Sequence, residues 1–157
     1  MSKEIERKFL VRSDEFKELS FKKSYLKQGY LNSDKNRAVR VRITDETAFL
    51  TIKGKSNASG TTRFEWEREI SIAEATQLMA LCEPGIIEKN RFYHHYKDHV
   101  FEVDEFLGNH QGLVLAEVEL NDENEAFEKP NYLGEEVTGD ERYYNSNLSK
   151  NSSKFWA

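Results

Sequence analysis

Charged and apolar residues alternate with a period of two along most of this chain. In residues 3–11 an extended backbone sends Glu4, Glu6 and Lys8 to one side and Ile5, Arg7 and Phe9 to the other. The pattern returns in seven later segments. Residues 24–31 put Gln28 and Tyr30 on a common face, and residues 37–44 hold Arg40 and Arg42 against Val39, Val41 and Ile43. Residues 48–54 set Phe49, Thr51 and Lys53 opposite Leu50 and Ile52, while 63–70 align Glu65, Glu67 and Glu69 against Phe64, Trp66 and Ile70. Lys89 and Arg91 share a face in 86–96, Glu102 and Asp104 in 100–107, and Glu117 and Glu119 in 113–120.

Helical spacing is confined to short stretches. Ser13 can cap a helix over 14–19 with Phe16 and Leu19 on its apolar side. Ser71 and Glu74 form a capping box for a helix running to about Cys82, with Ile72, Ala75, Leu78, Met79 and Cys82 as its apolar stripe, and Pro84-Gly85 ends it. A third helix is predicted over 122–128, stopped by Pro130. Residues 55–62 and 108–112 read as hairpin connections. Residues 131–157 carry Arg142, Tyr143, Tyr144 and Leu148 as docking points and end in a frayed tail.

Eight strands with few helices predict an all-β dominated α+β fold, and the regular charge on one face decides its shape. Surface ion pairs contribute only about 0–1 kcal/mol, so stability gives little reason to place so many in register. If the sheet closes into an antiparallel eight-stranded barrel, that face lines a tunnel, and acids and bases meet across a short distance. The prediction is therefore a closed barrel with a polar, charged interior and short helices packed outside, formed by residues 1–157 as one domain. Trp66, Phe92 and Phe101 are assigned to the core beneath the helices.

Composition sharpens this picture. Of 157 residues, 38% are hydrophobic and 32% charged, and the mean hydropathy of -0.78 is polar for a packed globule, which again asks for an internal charged cleft. A net charge of -5 argues against a general polyanion-binding surface while leaving room for a local basic pocket. Bases that alternate with acids are not the basic stripe with stacking aromatics that nucleic acid requires. No apolar run approaches the ~18 residues of a membrane span. Together with the lone Cys82, read as a core thiol, this predicts a cytoplasmic protein with neither nucleic-acid nor membrane partners. His94, His95, His99 and His110 have no cysteine partner and read as surface or satisfied histidines rather than zinc ligands.

The two signs of charge imply different chemistry. Lys8, Arg40, Arg42, Lys53, Lys89 and Arg91 suit a ligand with several phosphates, since guanidinium forks engage phosphate oxygens in pairs and lysines add point charge. Glu4, Glu6, Glu65, Glu67, Asp104, Glu117 and Glu119 would repel that ligand unless hard divalent cations, Mg2+ or Mn2+, sit between carboxylate and phosphate.

Glu4-Ile5-Glu6-Arg7-Lys8 resembles the ExExK signature of the CYTH superfamily, the triphosphate tunnel metalloenzymes. The resemblance continues in order through Arg40 and Arg42, Thr51-Ile52-Lys53-Gly54, Glu65 and Glu67, Glu88-Lys89-Asn90-Arg91, the Asp104 strand and Glu117-Val118-Glu119. It implies an eight-stranded tunnel that hydrolyses or cyclises triphosphate compounds with Mg2+ or Mn2+. The short chain is similar to small bacterial members that hydrolyse inorganic triphosphate. Carried over residue by residue, Lys8, Arg40, Arg42, Lys53, Lys89, Arg91 and Arg142 become phosphate ligands. Glu4, Glu6 and Glu119 become metal ligands, and Glu65, Glu67, Asp104 and Glu117 hold metal or position water. The catalytic set is Glu4, Glu6, Lys8 and Glu117, with Glu69 and Glu102 in support. The same resemblance admits a class IV type adenylate cyclase, a thiamine triphosphatase or a non-catalytic polyphosphate- or nucleotide-binding module as alternatives, and is compatible with a homodimer.

Overall fold

In the computed structural model, which describes residues 2–149, nine strands are present: β1 (Ser2–Val11), β2 (Lys22–Asn32), β3 (Arg37–Thr44), β4 (Thr47–Ser56), β5 (Thr62–Ile70), β6 (Ile87–Tyr96), β7 (His99–Phe106), β8 (Val114–Glu119) and β9 (Leu133–Glu136). Antiparallel neighbours follow the order β5-β4-β3-β2-β6-β7-β8-β1, and β1 pairs back onto β5. The predicted eight strands thus close into a barrel. β9 is an addition, a four-residue strand on β1 too short to show alternation in the sequence.

Closure depends on how β1 shares out its edges. Its Ser2–Ile5 stretch registers with β5, Glu6–Leu10 with β8, and Phe9 and Val11 with β9. On one edge the Glu6 amide donates to the Thr61 carbonyl at 3.0 Å, and the Lys8 carbonyl accepts from the Val137 amide at 2.8 Å. On the other, the Ile5 carbonyl accepts from the Leu120 amide at 2.8 Å. β5 and β9 therefore follow one another along a single edge of β1, and β8 takes the opposite one.

The outer face of the barrel carries the apolar positions that the alternation assigned to it. Helix α1 (Glu15–Leu19) has its N-cap position at Asp14, whose side chain makes no capping bond, while the Ser13 hydroxyl accepts from the Glu15 amide at 3.5 Å. It seals Phe16 completely against Phe92 and Tyr132, with Phe9, Phe101 and Val118 in the same cluster. Helix α2 (Ile72–Met79) starts with the predicted capping box, and each of the Ser71 and Glu74 side chains accepts the other's backbone amide at 3.0 Å. It ends three residues before Cys82, whose half-buried thiol packs beside the Val41, Ala48 and Ala75 cluster. α2 packs over β2, β3 and β4, so Trp66 on β5 lies exposed beyond its footprint, not in the core. No helix forms over 122–128. Asp122 accepts from the Asn124 amide on its side chain and from the Glu125 amide on its carbonyl, and the Glu125 side chain reaches back to the Asn121 amide. These local bonds satisfy the backbone as turns and compete with a helical ladder.

The interior is polar over only part of its length, a correction to the expectation of a charged face throughout. At one end Leu10, Ile87, Phe106, Leu113 and Leu115 face inward and pack with Val137, Tyr143 and Leu148. A 3-10 turn (Glu141–Tyr143) and helix α3 (Asn145–Leu148) bring in the last two of these and stop that end. The Leu148 carbonyl meets the His110 imidazole, and Gly85, at φ +100°, is pressed so closely by the Ser149 carbonyl that a Cβ would sit 1.5 Å from it. The predicted frayed tail and any plug built from residues 150–157 lie outside the described residues. Among the described residues, no helix is long and apolar enough to cross a membrane.

Candidate active site

The charged part of the interior is a cavity of about 200 Å³. Antiparallel register explains how distant segments meet there. Glu6 stands beside Glu119 and Lys8 beside Glu117 across β1 and β8; Lys53 faces Glu65 and Thr51 faces Glu67 across β4 and β5; Tyr30 adjoins Arg40 across β2 and β3. Because successive interior residues on each strand are two apart, each pairing that places one of them places the next.

Of the residues singled out from the sequence, Glu4, Glu6, Lys8, Arg40, Arg42, Lys53, Glu65, Glu67, Arg91, Glu117 and Glu119 line this cavity. Three are placed elsewhere. Lys89 and Asp104 lie behind the wall, 0% and 3% exposed. Asp104 holds the Arg91 fork with both oxygens, at 2.7 and 2.9 Å, and the Lys89 ammonium at 2.7 Å, so its carboxylate is already committed to two cations. Arg142 sits outside the cavity, its side chain 75% exposed and paired with Asp140 two residues away. An exposed pair of this kind contributes little, and Arg142→Ala should leave kcat/KM of any cavity reaction within about twofold, as a steady-state comparison with the parent protein will show. Of the supporting acids, Glu102 reaches the wall, whereas Glu69 is exposed and does not line the cavity.

The alternation also held a residue that was passed over. Arg63 shares the parity of Glu65 and Glu67 and lines the cavity, its guanidinium donating to the Gly54 and Lys35 carbonyls and stacking towards Tyr144. Thr138 and Tyr144, from irregular segments, and Asn145, from the four-residue helix α3, also line the cavity and carry no periodic signal.

Charge is segregated within the cavity, and neither side is fully compensated. Lys53 spans both oxygens of Glu4 at 2.9 Å and approaches Glu65 at 3.6 Å. Beyond that contact the acids crowd one another. Burial, with Glu117 and Glu4 alongside, pushes the Glu6 carboxyl well above the usual range; burial and Glu4 push Glu65 up to about 7; burial, Glu4 and Glu102 raise Glu119. Across the cavity, burial together with Arg40 and Arg91 pushes Arg42 below the ordinary arginine range. Arg40, 7% exposed, keeps a buried Nε with no hydrogen-bond partner among the described residues. Compensation is partial: Arg91 lies 3.5 Å from Glu102 and Arg40 3.8 Å from Glu67, yet the Arg40 Nε stays without an acceptor, and Glu6, Glu65 and Glu119 crowd together around Lys53 and Glu4.

An oxygen-only donor set of carboxylates fits Mg2+ or Mn2+ better than softer metals. Among the described residues, no group of three acidic, histidine or cysteine side chains forms a ready cage. Mg2+ needs none, because it keeps several waters and is commonly held by one or two carboxylates together with substrate phosphates.

The family model of the CYTH domain matches residues 2–151. The chain belongs to the CYTH family. It is 49% identical over 155 residues, 98% of its own length and 97% of the relative's, to a protein of Acetivibrio thermocellus named inorganic triphosphatase. A protein of the same name from Nitrosomonas europaea is 36% identical over 150 residues, covering 93% of this chain and 96% of the other. The crystal structure of the inorganic triphosphatase NE1496 superposes with a TM-score of 0.63 at 34% identity, covering 94% of this chain and 97% of that one. In this CYTH chain the ExExK residues Glu4, Glu6 and Lys8 all face the cavity, so the motif marks the strand on which acidic and basic walls meet.

Proposed function

We propose that this CYTH protein hydrolyses inorganic triphosphate to diphosphate and phosphate with a bound Mg2+ or Mn2+. The carrying observation is the incomplete compensation of charge inside one partly open cavity, where a polyanion would meet the arginines and a divalent cation would relieve the crowded carboxylates. The cavity volume of about 200 Å³ is below the ~300–1,000 Å³ of sites for organic ligands and favours a compact polyphosphate over a nucleotide. The CYTH triphosphatases are metalloenzymes as a class, and the choice of ion belongs to this proposal.

Arg40, Arg42, Arg91 and Lys8 hold the phosphate chain, with the free Arg40 Nε gaining the acceptor it lacks. Fixing the chain along the barrel aligns the terminal anhydride for in-line attack. Glu4, Glu6 and Glu119 would hold the metal, and Glu65, Glu67 or Glu117 would accept hydrogen bonds from the attacking water. The bound ion supplies charge neutralisation on the phosphoryl oxygens and acidifies a water molecule. Lys53, locked to Glu4, keeps that carboxylate oriented towards the cavity. Asp104 serves in this scheme by fixing Arg91 and Lys89.

Phosphate release from tripolyphosphate should require Mg2+ or Mn2+ and vanish in EDTA; turnover that persists in the chelator would sink the metal assignment. Residues 1–157 act here as one unit. A reducing cytoplasmic setting suits the single thiol, and light scattering on the 18.4 kDa chain checks the homodimer.

A further inference from the structure

A partly buried chain of hydrogen bonds runs from the stopped end of the barrel to the basic wall. Asn145 on α3 presents its Oδ1 to two donors, the Lys89 ammonium at 2.9 Å and the Gln28 Nε2 at 2.9 Å. Gln28, 0% exposed, then turns its Oε1 to the Nε of Arg42 at 2.9 Å.

The direction of this chain is fixed by chemistry at both ends. A lysine ammonium and an arginine Nε can only donate. The Asn145 atom facing Lys89 must therefore be its oxygen, and the Gln28 atom facing Arg42 must be its oxygen. Gln28 is left with only its amino group to offer Asn145. Each amide has one orientation that satisfies every partner, and reversing either would set donor against donor inside the protein, where an unmet polar group is costly.

We propose that Gln28 and Asn145 are positioning residues that make the orientation of Arg42 depend on the seating of α3. Arg42 spends its Nε on this chain, which turns the outer edge of its guanidinium to the cavity. Gln28 does not line the cavity and acts only through Arg42; Asn145 reaches the cavity wall, and the Arg42 resonance separates its action through Arg42 from any direct contact with substrate. The inference rests on the proposed triphosphatase reading for its effect on turnover, and on geometry alone for its effect on Arg42.

The test separates the two. In protein labelled with 15N-arginine, the Arg42 Nε–H resonance, assigned by its loss in Arg42→Lys, should exchange slowly with solvent. Gln28→Leu and Asn145→Ala should speed that exchange, and Asn145→Asp, which still accepts from both donors, should restore it. With tripolyphosphate and Mg2+, the first two variants should lose on the order of tenfold in kcat/KM, chiefly through KM, the size of one buried bond to a charged group. Should Gln28→Leu fail to fold, Asn145→Ala carries the test by itself. An Arg42 resonance and a KM that stay at their wild-type values in folded Asn145→Ala would overturn the relay. If the wild type does not turn over tripolyphosphate, the functional reading fails and the resonance alone decides the relay on the same terms.

Discussion

Asp104→Ala is expected to destabilise the protein by about 3–5 kcal/mol, because removing one partner of a buried ion pair strands the others. Here the stranded groups are two, the Arg91 fork, buried in the cavity wall, and the Lys89 ammonium, fully enclosed behind it. For a domain of this size 1 kcal/mol moves Tm by roughly 2–4 °C, so thermal unfolding of the metal-free protein should fall by about 6–20 °C. The pH dependence carries a sign as well. Arg91 and Lys89 hold the Asp104 carboxyl far below its unfolded value, burial acting the other way. Its contribution is therefore present above the ordinary aspartate pKa of about 4 and lost as pH falls further into the acid range. The gap between wild type and Asp104→Ala should narrow on acidification. The sequence reading placed Asp104 among the metal ligands; a variant whose metal-free Tm is unchanged while its metal affinity collapses would return it to that role.

Glu6→Gln should separate stability from activity. The Glu6 carboxyl is raised by burial and by Glu117 and Glu4, whereas Glu117 is held low by Lys8 and by its hydrogen bond with Glu6, burial opposing both. Burial and the neighbouring carboxylates favour the protonated form of Glu6 in the metal-free protein, beside a Glu117 held ionised by Lys8. A raised folded pKa means that Glu6 costs the native state nothing below the unfolded glutamate value and progressively more as pH rises towards the folded one. Glutamine keeps the donated hydrogen bond to Glu117 without that penalty, so the metal-free variant should melt higher than wild type, by a margin that widens as pH rises above the ordinary glutamate pKa of about 4. Turnover should move the opposite way. Losing a charged group from a preorganised electrostatic site typically lowers kcat by 10²–10³, and a fall on the order of 100-fold in Mg2+-dependent phosphate release is expected. Equal activity of Glu6→Gln and wild type would remove Glu6 from the catalytic set.

How far the sequence could be read depended on whether a residue sat in a strand long enough to alternate. Glu4, Glu6 and Lys8, Arg40 and Arg42, and Glu117 and Glu119 reached the cavity because period two assigns a face without further information. Arg63 shows the same rule overlooked, since it continues the Glu65 and Glu67 face by one step. Parity fixes a side of the sheet but not a depth along the barrel. For this reason Asp104 and Lys89, correctly turned inward, ended behind the wall, and Ile87, Phe106 and Leu115 on the same interior faces became an apolar stopper. Asn145, Tyr144 and Thr138 arrive from turns and a four-residue helix, where tertiary packing alone sets direction. The helix predicted over 122–128 failed for a local reason, the capture of backbone amides by the Asp122 and Glu125 side chains.

The seam at β1 sets an order of events during synthesis. This strand leaves the ribosome ahead of every partner, yet Lys8 finds Thr138 only 130 residues later. β5 and β8 can cover their parts of its edges earlier, but until translation has passed that point the stretch paired with β9 can recruit strands from other nascent chains. Contacts of such long range also make slow folders. The same pairing that encloses the cavity therefore delays closure until β9 and Thr138 have been made, and makes the interval before closure the chain's period of greatest exposure to aggregation.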